Sequence, residues 1–392
     1  MSIFERSVYS TVFKQSRLFK KLDHTLLAAA ALIIVFSLVM IHSATRDDLD
    51  LSGDFSKQII NISVGIVAMI FMLCINYEDL AKRMKLLYVI NLVMLGAVLF
   101  AGDAAMGAQR WIEIGPFRFQ PSEFSKLIII VCFAAFLSSR KGKLYKLTDL
   151  LPCFAFIGLP LLFILKQPDL GTSLVFLAIM FGMLFAAGAR PLLLVGLIGG
   201  GLLVISLWIW AHFWFEANSA YNLWIPLQDY QLKRLTIFIN PWKDWLGDGY
   251  HVIQSQIAIG QGGLFGRGLF QGSQTHGEFL PIRDTDFIFS VVGEETGFIG
   301  AVTLLFIYFI LIYRCIYVAI NAKDCFGFLL SAGVISMITF HVLVNVGMTT
   351  GIMPVTGIPL PMFSYGGSSM ITNLAALGLL LSVNMRRQNI MF

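Results

Sequence analysis

Ten apolar segments, each near the length a bilayer core demands, set the terms for this chain. They lie at about 25–44, 58–77, 86–102, 122–139, 150–166, 170–188, 191–213, 297–320, 327–347 and 366–385. A membrane span needs about 20 such residues. Composition agrees, with 57% hydrophobic and only 13% charged residues among 392, and a mean hydropathy of +0.78. A soluble domain carries roughly twice that charge, about 25%. The expected fold is an all-α polytopic membrane protein, a single domain over 1–392, with little room left for a soluble one.

Charge sets the orientation. Lys82, Arg83, Lys85, Arg140, Lys141, Lys143, Lys146, Arg190, Arg314, Lys323, Arg386 and Arg387 fall in short loops on one side. That bias puts both termini in the cytoplasm and explains the net charge of +5 without a nucleic-acid partner. Residues 1–24, with Arg6, Lys14, Arg17, Lys20 and Lys21, read as a retained cytoplasmic surface segment rather than a cleaved signal. Five cysteines lie in or beside apolar segments without metal-ligand or disulfide spacing. The six histidines likewise offer no three-ligand zinc arrangement.

The opposite side carries the unusual sequence. Its loops are 103–121, the bend 166–169, a large loop over about 214–296 between spans seven and eight, and 348–365. They are rich in Gly, Pro and aromatic residues, so any chemistry belongs there, near the outer leaflet. In "FLPIRDTDFIFSVVGEETGFIG" (279–300), five charged residues stand beside an apolar segment. If a helix begins at Asp286, capped by Asp284 or Thr285, Glu294 lies about 12 Å further on. Paired acid and base groups in glycosidases stand about 5–9.5 Å apart. Glu295 turns to the other side. A paired-carboxylate site therefore fails on geometry, leaving Asp286 as either a helix-capping acid or a single reactive carboxylate.

Other constellations stay ambiguous on spacing. In "QPSEFSKL" (120–127), Glu123 and Lys126 are three apart and can face each other. An ion pair within a span is costly unless it lines a path, or snorkels to the surface. Arg110, beside Trp111, is suited to bidentate phosphate binding or to plain solvation. "KQPDLGTS" (166–173) places Lys166 and Asp169 in a Pro bend. His341 and Asn345, four apart, fit helix–helix glue. "SYGGSS", with Ser364 and Ser368, fits a close-packed helix start or an anion nest. "GQGGLFGRGL" (260–269) lacks the Gly-Lys-Ser/Thr ending and βαβ setting of a phosphate loop.

Taken together, "QRWIEIGPFRFQPSEFSKL", "KQPDLGTS", "IGQGGLFGRGL", "LPIRDTDFIFSVVGEETGFIG" and "TGIPLPMFSYGGSSM" closely resemble the SEDS family of shape, elongation, division and sporulation proteins. The blocks occur in family order over nearly the whole chain. The "RWIEIGPFRFQPSE" block is more similar to the elongation branch, RodA, than to the division branch, FtsW. The resemblance implies a peptidoglycan glycosyltransferase that polymerises lipid II at the outer face of the bacterial cytoplasmic membrane. It implies a class B penicillin-binding protein as the transpeptidase partner. The family's essential aspartate falls on Asp286, as general base. Family members commonly read Leu-Pro-Glu-x-His-Thr-Asp, whereas this chain has Ile282 and Asp284 in place of that Glu and His.

For the departing pyrophosphate, Arg110, Lys126 and Lys166 are the first candidate cations, then Arg267. Glu123 would orient Lys126, and Asp169, Ser364 and Ser368 would support the site. A divalent cation, Mg²⁺ or Mn²⁺, would share the work, since Mg²⁺ binds through one or two carboxylates plus phosphates. Inversion at the anomeric carbon is expected, with a groove between spans admitting the lipid tails. Two competing functions are a lipid II translocase and a non-catalytic scaffold of the cell-wall machinery. A translocase needs polar groups along a transbilayer route, yet the charged motifs cluster at one end of the spans.

Overall fold

The computed structural model describes residues 22–46, 53–101, 103–105, 108–114, 117–140, 142–218, 229–245, 247–277, 279–280 and 282–387. The basic opening segment 1–21 lies outside them. Among the described residues, eight helices are long and apolar enough to cross a membrane. They are α1 (His24–Thr45), α2 (Asp54–Cys74), α5 (Pro121–Ser138), α6 (Leu147–Lys166), α8 (Pro191–Asn218), α12 (Ile288–Ile320), α13 (Cys325–Thr349) and α14 (Gly367–Met385). Two shorter apolar helices, α4 (Met84–Ala101) and α7 (Leu170–Ala186), occupy the places of the other two expected spans. Short α3 (Tyr77–Lys82) links α2 to α4. The all-α polytopic expectation therefore holds.

Helix starts follow the sequence. Asp23 caps α1 by accepting from Leu26 N at 3.0 Å, and Asp324 caps α13 by accepting from Gly327 N at 2.7 Å. Pro121 opens α5 where its missing N–H costs nothing. Lipid tails are as apolar as leucine, so the spans associate through close packing instead. A side chain at Gly378 of α14 would strike the Met69 backbone of α2, and one at Gly65 would strike Leu374. Gly333 of α13 sits against Ile130 of α5 and Met183 of α7. Helices α13 and α14 form the buried centre, whereas α8 exposes Leu192, Val195, Leu202 and Trp210 along its length.

One end of the bundle is tied by ordinary polar contacts. Tyr77 donates to Asp324, Lys323 pairs with Glu78 at 3.0 Å, and Arg314 grips Asp23 through two nitrogens. The other end holds the elaborated loops. Loop 103–121 departs from the all-helical pattern with a small antiparallel sheet in the order β1 (Asp103–Ala105), β2 (Ala108–Ile114), β3 (Phe117–Phe119). The large loop folds into α9 (Asp229–Ile239), a 3₁₀ turn (Pro241–Asp244), α10 (Asp248–Gly262) and α11 (Ser273–His276). Ser255 of α10 bonds Ser290 of α12 at 2.6 Å and the Thr349 carbonyl of α13 at 2.7 Å, which docks the loop onto the bundle.

The glycine-rich stretch 260–269 has a structural job. Helix α12 is broken at Gly297, which takes φ 66°. The break frees backbone groups that a membrane protein must satisfy internally. Arg267 N and Gly268 N donate to the carbonyls of Glu294 and Glu295, at 3.0 and 3.1 Å. Phe298 N and Ile299 N donate to Gly263 and Leu264, at 2.9 and 3.1 Å. A side chain at Gly266 would collide with the Glu295 carbonyl. Those glycines permit a close backbone approach, in keeping with the rejection of a phosphate loop.

Candidate active site

The turn 282–287 precedes α12, so Asp286 does not begin a helix as its spacing suggested; the N-cap is Phe287, which makes no side-chain cap. The turn is clamped from several sides. Arg283 Nε donates to the Ala44 carbonyl of α1 at 2.7 Å. Tyr365 N donates to the Asp284 carbonyl at 2.9 Å, and Ser364 Oγ to the Thr285 carbonyl at 2.7 Å. Asn345 Nδ2 donates to the Asp286 carbonyl at 2.9 Å. Ile282 sits at φ 54°, a left-handed conformation costing a β-branched residue about 1–3 kcal/mol. The surrounding bonds over-determine the turn and hold that strain.

Asp286 thereby faces a cavity of about 190 Å³. Its polar lining is Arg234 of α9, His251 and Gln256 of α10, and Asp286 itself. Ile237, Val252, Phe287 and Met353 supply apolar walls. Arg234 Nη1 donates to the Val355 carbonyl at 3.2 Å, which fixes α9 over the 350–366 loop. Gly357, at φ 74°, lets that loop pass close beneath: a Cβ there would stand 3.5 Å from Asp286 Oδ2 and 3.9 Å from Arg234 Nη1. Burial pushes the Asp286 carboxyl up to about 6; Arg234 pulls it down, while Asp284 and Asp169 add to the rise. A carboxylate poised near neutrality, within a cavity and beside a cation, is suited to taking a proton.

The remaining acids of this stretch are engaged elsewhere. Glu294 accepts from Gln274 N at 2.7 Å, Thr275 N at 3.0 Å and Thr275 Oγ1 at 2.7 Å, holding the start of α11. Glu295 accepts from Ser43 Oγ of α1 and from Phe270 N at 3.2 Å, and lies 3.5 Å from His276 Nε2. The two point apart and serve as structural acids, as the helical geometry predicts.

The cations expected at the pyrophosphate do not line the cavity. Arg110 spends its guanidinium on the Gln167 carbonyl at 3.1 Å and on the Pro168 carbonyl, pinning the hairpin to the bend. Lys126 is sealed inside the bundle, 2.7 Å from Glu123 Oε1 and 3.4 Å from His341 Nε2. Glu123, expected to orient Lys126, forms an ion pair with it. Lys166 and Arg267 are exposed, and Arg267 contributes its backbone to the glycine loop.

Asp169 caps α7, accepting from Thr172 N at 3.0 Å and Thr172 Oγ1 at 2.9 Å, and its charge is felt at Asp286. Ser368 accepts from Gln120 N at 3.0 Å, and Ser364 braces the Asp286 turn. Among the described residues no group of three or more His, Cys, Asp or Glu converges to hold a metal ion.

Arg234 and His251 escaped the sequence reading. Both sit in the large loop, where the only available signal was the amphipathic run "DYQLKRLTIFI" of α9.

Known proteins share this architecture. The cell cycle protein family of FtsW, RodA and SpoVE matches residues 23–389. Stage V sporulation protein E of Bacillus subtilis (strain 168) is 38% identical over 92% of this chain and 96% of its own length. Peptidoglycan glycosyltransferase MrdB of Escherichia coli (strain K12) is 37% identical over 94% of both chains. A solved chain from a peptidoglycan synthase complex that coordinates polymerization and crosslinking superposes with a TM-score of 0.77. It is 31% identical, covering 94% of this chain and 99% of the other. From the fold, the ordered motifs and these likenesses, the chain belongs to the FtsW, RodA and SpoVE family of multi-pass bacterial inner-membrane proteins.

Proposed function

We propose that this chain is a peptidoglycan glycosyltransferase that polymerises lipid II during cell elongation and releases undecaprenyl pyrophosphate, with Asp286 as general base. The observation that carries the reading is the Asp286 carboxyl on the wall of a cavity shared with Arg234. Asp286 takes the proton of the acceptor sugar hydroxyl, and the oxygen attacks the anomeric carbon of the donor. The bond to pyrophosphate breaks with inversion. Charge growing on the leaving group is offset by Arg234, a preorganised cation in a partly apolar site. Mg²⁺ or Mn²⁺ would travel with the pyrophosphate, and no protein ligand is assigned to it.

The Asp286 end faces outward in this reading. The opposite end carries Lys82, Arg83, Arg140, Lys143, Lys146, Arg190, Lys323, Arg386 and Arg387, the basic signature of a cytoplasmic surface. Elongation is supported by the "RWIEIGPFRFQPSE" block and by the likeness to MrdB. A class B penicillin-binding protein is the proposed partner, supported by the likeness to a chain of a synthase complex that joins polymerization to crosslinking.

The test is reconstitution with that partner in proteoliposomes supplied with labelled lipid II. Glycan polymer is expected from the wild type, and Asp286→Ala and Asp286→Asn should lower its rate by about 10²–10⁴-fold. A base must be deprotonated to act, so the wild-type rate should fall as pH drops through about 6. Undiminished polymer from both variants would sink the assignment.

A further inference from the structure

Asn345 is fully buried on α13, and its amide nitrogen uses both protons on carbonyls. One is Asp286 O and the other Ile358 O, each at 2.9 Å. These belong to separate segments, the turn before α12 and the loop after α13. Gly357, the neighbour of Ile358, packs beneath the Asp286 carboxyl and the Arg234 guanidinium. Helix–helix glue would bond one span to another, whereas these two bonds run from a span to the two loops that build the cavity. Asn345 Oδ1 accepts nothing from the described residues, so the contribution lies in the donors.

The helix carrying this amide is itself held in register. One turn earlier on the same face, His341 Nε2 stands 3.4 Å from Lys126, which is paired with Glu123. The carbonyls of Asp284 and Thr285 are taken by Tyr365 N and Ser364 Oγ, both from the 350–366 loop. At Asp286 the carbonyl is instead held from α13.

We propose that Asn345 is a positioning residue for Asp286: by holding the carbonyls of Asp286 and Ile358 together, it fixes the carboxyl against Arg234 and the Gly357 turn. The proposal rests on Asp286 being the base. The groups facing that carboxyl are Arg234 from α9, His251 from α10, Asp284 from its own turn and Asp169 from the cap of α7. Loosening the turn alters both the burial that raises the Asp286 carboxyl and the Arg234 approach that lowers it, so its titration should shift.

The experiment compares Asn345→Ala and Asn345→Ser with wild type in the reconstituted system. Alanine removes both donors, and serine keeps one hydroxyl. For alanine, kcat should fall by about 10²-fold, the scale of a small misplacement at a reacting group. Serine should fall less, with KM for lipid II held within about three-fold in both. Independently of activity, carbodiimide labelling of Asp286 against pH, read by mass spectrometry, should give a displaced midpoint in the alanine variant.

An unmoved midpoint overturns the proposal, whatever happens to kcat. So does loss of folded protein in both variants on size exclusion, which reassigns Asn345 to bundle stability. A displaced midpoint, together with Asp286→Ala protein that still polymerises, supports the positioning role and overturns the base assignment instead.

Discussion

Two clusters of charge lie one turn apart along α13, at His341 and at Asn345, and they are built on opposite principles. Glu123, Lys126 and His341 are sealed among helices, with the ion pair closed at 2.7 Å. Asp286 and Arg234 share a cavity of about 190 Å³. Removing two charges from water costs several kcal/mol per ion, recovered only by tight pairing and further hydrogen bonds. The first cluster closes its ion pair tightly, while Glu123 Oε2 and His341 Nδ1 meet no hydrogen-bond partner among the described residues. The second leaves its charges facing a void. In a membrane, then, a charged residue alone does not mark chemistry; a charged residue that is left space does.

The sharpest way to break this comparison after Asp286 itself is Arg234→Ala. If the open cluster handles pyrophosphate, loss of one preorganised donor should cost about 10²–10³-fold in the polymerisation rate, while the protein keeps its thermal stability. A normal rate would leave the cavity without its cation. Next in size is the sealed pair. Lys126→Met or Glu123→Gln alone leaves a buried charge or polar group uncompensated and should destabilise by about 3–5 kcal/mol. The double variant should recover most of the melting temperature, measured by thermal unfolding in detergent. Single variants that melt normally yet fail to polymerise would move this pair into the reacting site. Smallest of all, Lys166→Ala and Arg267→Ala should change the rate by no more than about two-fold, since surface substitutions usually stay within about 0.5 kcal/mol.

How far these clusters were legible depends on the range of the contacts behind them. The spans were readable because twenty apolar residues in a row are a local signal, and the Glu123–Lys126 pair because three residues along a helix fixes proximity. Asp286 was singled out by resemblance; spacing left it equal to a capping residue, and the assumed helix start proved two residues early. Arg234 was invisible for a different reason. Its approach to Asp286 depends on how α9, α10 and the 350–366 loop fold together, and hydropathy carries no record of that. Arg110, suited to phosphate by its fork of donors, meets carbonyls of the 166–169 bend through Nε and Nη2, a contact that spacing does not foretell.

The interruption of α12 at Gly297 has a mechanical consequence. Spans answer changes in bilayer thickness by tilting, at a cost of fractions of a kcal/mol per ångström of mismatch. A continuous rod from Ile288 to Ile320 would carry each tilt straight into the turn that holds Asp286. With the rod divided, and its loose backbone stitched to the 263–268 loop, the portion after the break can lean while the nine residues before it keep their docking on α10. A polymerase built this way is insulated from the thickness of the membrane in which it works.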